Sequence, residues 1–357
     1  MRRDTLLRLA RRLLQTPTAA GLEDAMAAVV RAQCDRIGLP VHEDPWGNLL
    51  VRCERGPGSR STPPLVFVAH LDHPAFEFLG DDRAEFLGGV PDALFAARAT
   101  VVFADGARAR CMQRRPKTGR RRRLVRLDRA LPDTPPGTPG RWDVETFAVD
   151  GDRLVAWGID DLLGVCAMLA CLRDLAAARA PTRTWALFTR AEEIGLLGSI
   201  HAARAGILPA DAQVISIETS NAVGRVAIGG GPVIRIGDRG TIFDPAITAL
   251  LERCAADLRG LRWQRALMDG GTCEGSAWSA FGYRCGGLCL PLGNYHNIGP
   301  DTTPAAEYIS VRDLQGLVRL CTQLGTVWLD HDPTAVQKRL RDRYERILDH
   351  APRRLGP

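Results

Sequence analysis

The stretch Pro64-Leu65-Val66-Phe67-Val68-Ala69-His70-Leu71-Asp72-His73 decides the fold. Its first six residues are apolar without interruption, which is typical of a strand buried on both faces of a sheet. The apolar run ends at His70, so polar side chains follow directly after the predicted strand. A helix and three more strands are predicted from similar apolar runs, at residues 162–178, 184–189, 214–218 and 286–290. Alternating strands and helices predict an α/β fold, a three-layer αβα sandwich around a mixed sheet.

The segment from Pro74 to Asp150 has a different character. Short strand-like pieces alternate there with Gly, Pro and Arg clusters, and apolar helices disappear. Residues 132–140 hold four prolines and two glycines, which predicts a loop. We therefore predict two domains. One is a discontinuous α/β domain of residues 1–73 and 151–357, and the other is an inserted, small, β-rich and barrel-like domain of residues 74–150.

Composition excludes several classes of protein. The 357 residues suffice for about two domains, and 45% hydrophobic with 25% charged residues excludes general disorder. The net charge of +6 is too small to indicate a nucleic-acid partner. One basic run, at residues 114–123, has no interleaved aromatic residues, so a solvated loop is favoured over a nucleic-acid contact. The same run could attract an acidic peptide or an acidic neighbouring subunit. No segment approaches the roughly 20 apolar residues of a membrane span.

The ten cysteines are spaced singly along the chain. No CxxC pair occurs, which argues against a zinc knuckle or a thioredoxin-type site. Several cysteines lie within apolar runs, where a thiol behaves as a small core side chain. Such a set is typical of a reducing compartment, so we expect a cytoplasmic protein with no membrane partner.

Two histidines and several carboxylates lie at the ends of the predicted buried strands, in the turns just after them, or just before the helix that starts at Leu162. They are His70, Asp72, Asp160, Asp161, Glu192, Glu193, Glu218 and His296. In an open α/β sheet, ligands collect beyond the carboxyl ends of the strands. Apart from Arg190, no cationic side chain is interleaved with this set, so its carboxylates would repel one another in a buried site. A bound metal cation usually neutralises such repulsion. A set without thiolates suits zinc, with cobalt or manganese as alternatives, and a pair of metals with a bridging carboxylate favours hydrolysis.

Adjacent acids in this set can divide the chemical work. On an irregular turn, one of Glu192 and Glu193 can bind metal while the other faces the attacking water as general base. Asp72, two positions after His70, is placed to accept the second imidazole N–H and so to fix the tautomer.

Five motifs occur in order along nearly the whole chain. They are Ala69-His70-Leu71-Asp72, Ile159-Asp160-Asp161, Ala191-Glu192-Glu193-Ile194-Gly195, Gly270-Gly271-Thr272 and His296. With these motifs the chain resembles the di-metal aminopeptidases, a family that includes the tetrahedral, glutamyl and deblocking aminopeptidases and the cellulase M group. Any one motif is a weak signal, but five in the right order indicate the family.

The resemblance implies a ligand set for each of two divalent cations. One ion would bind His70, Asp160 and Glu218. The second ion would bind Asp160, Glu193 and His296, so that Asp160 bridges the two.

The resemblance also implies roles for residues around the metals. Glu192 would be the general base, and Asp72 would be the partner of His70. Thr272, in the Gly-Gly-Thr turn, would lie near the site as a substrate-binding residue. His73 is predicted either to approach the substrate or to cover the edge of the site.

The sequence departs from the family pattern at three places. Glu218 stands where the family usually has Asp, and His73-Pro74 replaces an acid followed by an apolar residue. Cys273, followed by Glu274, replaces the acid expected after Gly-Gly-Thr. These departures bear on the substrate more than on the fold.

The resemblance implies an exopeptidase that removes N-terminal residues from peptides, and a homo-oligomer in which the insertion helps assemble subunits and restricts access to the site. Glu218 and its altered neighbours leave room for a di-metal amidohydrolase, a deacylase or a carboxypeptidase acting on small N-acyl or carboxylate-bearing substrates. A catalytically silent scaffold is the third hypothesis, although it would leave the complete set of predicted ligands and base without a chemical role.

Overall fold

A computed structural model describes residues 1–57, 61–112, 121–330 and 335–349. Within these residues the helices are α1 (Arg3–Leu14), α2 (Asp24–Ile37), α3 (Ile159–Ala178), α4 (Leu197–Arg204), α5 (Pro245–Asp257), α6 (Glu274–Ala280), α7 (Val311–Val327) and α8 (Ala335–Asp349). Most of the basic run predicted as a loop, its residues 114–120, lies outside the described residues.

The strands of the described residues form three sheets. They are β1 (Val41–Glu43), β2 (Leu49–Arg55), β3 (Leu65–His70), β4 (Ala75–Gly80), β5 (Arg83–Leu87), β6 (Thr100–Phe103), β7 (Arg108–Arg110), β8 (Arg122–Arg126), β9 (Pro139–Trp142), β10 (Ala148–Asp150), β11 (Arg153–Ala156), β12 (Thr182–Thr189), β13 (Gln213–Asn221), β14 (Val233–Asp238), β15 (Gln264–Met268), β16 (Arg284–Leu292) and β17 (Glu307–Ser310).

The largest sheet has the strand order β1-β2-β12-β3-β13-β16-β14-β15. Its four central strands, β12, β3, β13 and β16, run parallel to one another. On either side of them, β2 pairs antiparallel with β12, and β14 pairs antiparallel with β16. The predicted mixed sheet is therefore confirmed, and the carboxyl ends of its central strands meet along one edge.

Helices cover both faces of this sheet. Alternate residues of β3 separate into two clusters, with Leu65 and Phe67 on one face and Val66 and Val68 on the other. The first face packs against α1, α2, α3, α5 and α7, and the second packs against α4 and α6. This arrangement confirms the predicted three-layer sandwich. No helix among the described residues is long and apolar enough to cross a membrane.

The segment between β3 and β10 forms a separate, curled antiparallel sheet with the order β7-β6-β9-β4-β5-β8. A bridge between Cys111 and Leu127 joins the two edges of this sheet beyond β7 and β8, which gives it a barrel-like form. Its interior is aromatic, with Phe86 and Trp142 among the fully buried side chains. Edge-to-face contacts such as Phe76 on Trp142, at 4.7 Å between ring centroids, hold this core together.

The sequence predicts strand β10 as part of the insertion, but in the structure β10 does not pair with the strands of the curled sheet. It forms a three-stranded antiparallel sheet with β11 and β17. This small sheet leads directly into α3 and α7, because β11 ends at Ala156 and β17 ends at Ser310. The domain boundaries at residues 73 and 151 stay a prediction.

Helix α5 begins at a side-chain cap that allows a test of stability. The Asp244 carboxylate accepts hydrogen bonds from the main-chain N–H groups of Ala246 and Ile247 at 2.8 and 3.0 Å, and Arg284 pairs with it. We expect Asp244→Ala to lower the free energy of unfolding by about 1 kcal/mol, measured by urea denaturation. Asp257→Ala, at the exposed end of the same helix, is the matched control and should not destabilise the protein.

The contribution of Asp244 should also depend on pH. Burial opposes ionisation of this carboxyl group, but the hydrogen bonds from Arg284 and from the main chain outweigh burial and lower its pKa. Since folding favours the carboxylate, its stabilisation is complete above the unfolded pKa of about 3.9 and is lost as the pH falls through the lower folded pKa. A difference between Asp244→Ala and the parent protein that persisted unchanged at pH 2 would contradict this assignment.

Candidate metal centre

The predicted site residues lie along the carboxyl edge of the central strands. His70 is the last residue of β3, and Glu218 lies near the end of β13. Glu193 follows β12 in a turn, and His296 follows β16 in a turn. Asp160 lies at the start of α3, where the peptide bond to Asp161 is cis. Parallel pairing of the strands brings these distant segments together.

Asp160 lies at the centre of the group. Its Oδ1 is 3.6 Å from Nε2 of His70, and its Oδ2 is 3.4 Å from Nε2 of His296. The same Nε2 of His296 lies 3.4 Å from Oε1 of Glu193. One carboxylate therefore faces an imidazole on each of its two oxygens, which is the arrangement expected of a bridging ligand.

The second nitrogen of each imidazole is held by a main-chain oxygen. His70 Nδ1 lies 3.1 Å from the carbonyl oxygen of Asp72, and His296 Nδ1 lies 2.8 Å from the carbonyl oxygen of Gly89. A proton on each Nδ1 leaves Nε2 with a lone pair directed towards Asp160. Gly89 belongs to the barrel-like sheet segment, so this segment also orients a site residue.

The donor set fits divalent cations. Two of its groupings are His70–Asp160–Glu218 and Asp160–Glu193–His296, and in each the donor atoms lie within 4.8 Å of one another. A third grouping joins His70 to Glu192 and Glu193. The buried oxygens Asp160 Oδ1 and Glu193 Oε1 have no hydrogen-bond partner among the described residues. Because an unpaired buried carboxylate oxygen is costly, these atoms favour a bound cation.

Asp72 makes contacts beyond the one with His70 that the sequence predicts. Its carboxylate accepts the main-chain N–H groups of Glu192 and Glu193, both at 3.0 Å. The side-chain oxygen is 3.5 Å from Nδ1 of His70, whereas the carbonyl oxygen of Asp72 is nearer. Asp72 thus supports His70 mainly through its main chain, and its carboxylate orients the turn that carries Glu192.

The electrostatics of the site indicate too much negative charge. Burial raises the pKa of Glu192 well above its ordinary value, and the neighbouring carboxylates add to this effect. Burial also raises the pKa of Glu218 to about 7. Burial opposes ionisation of Asp160, yet the His296 and His70 imidazoles beside its carboxylate hold its pKa below its usual range. Cations would relieve this excess of carboxyl groups.

A cavity of about 180 Å³ opens beside these residues. Among the residues that line it are His70, Asp160, Glu192, Glu218, Arg235, Thr272 and Tyr295. The structure therefore places the predicted base and the predicted substrate-binding Thr272 on the wall of one cavity. The Tyr295 ring stacks on His296 at 3.7 Å between centroids.

His73 does not line this cavity. Its ring is fully buried, and Nδ1 donates a hydrogen bond to the carbonyl oxygen of Asp160. Nε2 lies 3.0 Å from Oδ1 of Asn297. Both ring nitrogens are thus engaged within the protein, beside Asp160 and the turn that carries His296. The two predicted roles of His73, contact with substrate and cover for the edge of the site, stay predictions.

The sequence analysis missed Arg235 as a residue of this cavity. Arg235 is 3% exposed on β14, and its Nε has no hydrogen-bond partner among the described residues. The remaining contacts of its guanidinium, to Ser220 Oγ and the carbonyl oxygen of Met268, are both 3.4 Å long. The sequence feature that could have identified Arg235 is its position as a single Arg within the apolar run Val233-Ile234-Arg235-Ile236.

Solved structures share this fold. Aminopeptidase APDkam598 from the archaeon Desulfurococcus kamchatkensis superposes with a TM-score of 0.75 at 22% identity, covering 94% of this chain and 98% of that chain. The TET1 peptidase of Pyrococcus horikoshii gives a TM-score of 0.71 at 22% identity, covering 90% and 99% of the two chains.

Sequence comparison identifies the family. A protein of Acetivibrio thermocellus named as a candidate aminopeptidase is 26% identical over 192 residues, which are 51% of this chain and 55% of that protein. The match thus spans about half the length of this relative. Residues 133–320, more than half of the chain, match the family model described as M42 glutamyl aminopeptidase. The predicted family is confirmed: the chain belongs to the M42 peptidases.

Proposed function

We propose that the protein is a metal-dependent aminopeptidase that removes N-terminal residues from peptides. The observation that carries this proposal is the placement of Glu192 on a cavity wall, beside a carboxylate that two imidazoles face from opposite oxygens. Membership of the M42 family supports the same reaction.

The chain offers a ligand set for each of two cations. We assign His70, Asp160 and Glu218 to one ion, and Asp160, Glu193 and His296 to the other. Zinc, cobalt and manganese all suit these donors. When bound, such ions lower the pKa of water and stabilise negative charge on a peptide oxygen.

Glu192 serves as the general base. Its carboxylate takes a proton from the attacking water and returns that proton to the leaving nitrogen. Burial, with the neighbouring carboxyl groups, raises the pKa of Glu192, which favours the return of the proton to the leaving nitrogen. Asp72 holds the main chain of this turn by accepting the N–H groups of Glu192 and Glu193, so the base keeps its orientation.

Arg235 gives the cavity a preference for acidic side chains. The Arg235 guanidinium is nearly buried, and no described residue accepts a hydrogen bond from its Nε. Such a group is a strong site for a carboxylate, because charge-assisted hydrogen bonds are strongest away from water. We therefore propose substrates with N-terminal Glu or Asp, in line with the description of the family as glutamyl aminopeptidases. Thr272 lines the same cavity and is assigned to substrate binding.

The barrel-like segment completes the site and supports assembly. We propose that residues 74–150 form an inserted domain, and that Gly89 within it positions His296. Similar structures include a dodecamer and a peptidase that assembles into a tetrahedron or an octahedral shell. We propose a homo-oligomer for this chain on that basis. The comparisons do not favour the alternative of a deacylase or carboxypeptidase, and the complete set of ligands and base argues against a silent scaffold.

Hydrolysis of a dipeptide panel tests the proposed reaction. We expect metal-loaded protein to cleave free-amine dipeptides, Glu-Xaa fastest, and to leave N-acetylated analogues intact. Chelated protein, reassayed after metal is restored, is the control. Cleavage that required an acyl group or a free C-terminal carboxylate would refute the aminopeptidase assignment.

A further inference from the structure

A buried carboxylate joins the two segments that carry Asp160 and His296. Glu307, the first residue of β17, is fully buried at 0% exposure. Its Oε2 accepts the main-chain N–H of Asp160 at 3.0 Å, and its Oε1 accepts the main-chain N–H of His296 at 2.8 Å. Each oxygen of one carboxylate thus fixes the backbone of a different proposed ligand.

His73 joins the same two segments through a second pair of contacts. Its Nδ1 donates to the carbonyl oxygen of Asp160, and its Nε2 lies 3.0 Å from Oδ1 of Asn297. The Asn297 side chain is itself held, because its Nδ2 donates to the carbonyl oxygen of Trp157 at 2.8 Å. Both main-chain polar groups of Asp160 are therefore held by side chains that also contact residues 296 and 297.

The turn at His296 requires such support. His296 and Asn297 have φ angles of +57° and +60°, in the left-handed region that residues other than glycine seldom adopt. A conformation of this kind persists where the surroundings determine it. Glu307 and His73 meet the turn at these two adjacent residues.

We propose that Glu307 and His73 are positioning residues for the cation held by Asp160, Glu193 and His296. The inference rests on the proposed function in taking these three residues as ligands. Replacing a group that orients a metal ligand typically lowers metal affinity by 10–100-fold. Glu307 and His73 contact the main chain of the ligand segments, so they fix the backbone positions from which the side chains of Asp160 and His296 extend.

A titration with Co²⁺ tests the proposal on the full chain. Glu307→Gln keeps the shape of the side chain but puts an amide NH₂ against one of two main-chain N–H donors. We expect the affinity for one of two Co²⁺ ions to fall roughly 10–100-fold, with altered visible absorption of that ion. The ion held by His70 and Glu218 should be affected less.

Asp313→Asn is the matched control. Asp313 is also a buried carboxylate that accepts two main-chain N–H groups, those of Gly229 and Gly231, but it contacts none of the proposed ligands. Both variants should unfold at a lower temperature, and only Glu307→Gln should bind Co²⁺ more weakly. Equal loss of affinity in both variants would mean general loosening and would overturn the proposal.

A second pair of variants serves if Glu307→Gln does not fold. His73→Phe removes the donor to Asp160, whereas His73→Asn keeps an N–H at the position of Nδ1. We expect His73→Phe to weaken Co²⁺ binding and His73→Asn to restore part of it. Unchanged affinity in the His73 variants and in any folded Glu307 variant would overturn the inference, as would a parent protein that binds fewer than two ions. Parent protein that binds two ions and cleaves no free-amine peptide would instead refute the proposed function.

Discussion

Glu192→Gln is expected to lower kcat by about 10²–10⁴-fold while both cations stay bound. The amide cannot take a proton from water, yet it has nearly the size of the carboxylate. Because Glu192 lies on the cavity wall and outside the two proposed ligand sets, its loss should leave metal affinity intact. Steady-state hydrolysis of a Glu-Xaa dipeptide and a metal count per chain together measure the effect.

The surface residue Glu252 supplies the control for this experiment. It pairs with Arg265 at 2.6 Å, and its side chain is 33% exposed on α5. Glu252→Gln should retain the parent kcat. A Glu192→Gln protein that is as active as the parent would eliminate this residue as the base, and one that lost its metals would make Glu192 a ligand.

Arg235→Gln is expected to reduce kcat/KM for Glu-Xaa dipeptides by about 10²–10³-fold, since breaking a buried charge pair typically costs 2–5 kcal/mol. Dipeptides with N-terminal Ala or Leu do not use the charge, so their kcat/KM should change much less. The ratio of the two values is the measurement. This ratio cancels any general effect on the nearby Glu218, whose pKa is raised by burial, a rise that Arg235 partly offsets.

Arg265→Gln is the matched control for the arginine. Arg265 lies on the neighbouring strand β15, but its side chain is 55% exposed and pairs with Glu252. This variant should leave the ratio between acidic and apolar substrates unchanged. Equal losses on all dipeptides in Arg235→Gln would show that the guanidinium supports the site without selecting the substrate.

The sequence predicts the architecture because its signals are local. The apolar run at residues 64–69 and the polar residues that follow place a buried strand and its functional end without any tertiary information. The order of the five motifs adds the identity of the family. The sheet to which β10 belongs could not be predicted in the same way, because a three-residue strand has no pattern that identifies the strand with which it pairs.

The candidate site likewise has features that the sequence predicts and features that only the tertiary structure decides. Residue type and position near strand ends indicated eight candidate residues, since ligands collect where parallel strands end. The resemblance to the family selected His70, Asp160, Glu193, Glu218 and His296 among them as predicted ligands. Tertiary structure alone decided how the surrounding residues act. In the folded chain, His73 hydrogen-bonds to the main chain of Asp160 and does not line the cavity, and the carboxylate of Asp72 accepts hydrogen bonds from two main-chain N–H groups. Arg235 and Glu307 reach the site from strands that carry no motif. The physical reason is that orientation and burial depend on contacts between segments up to 224 residues apart, which no local pattern encodes.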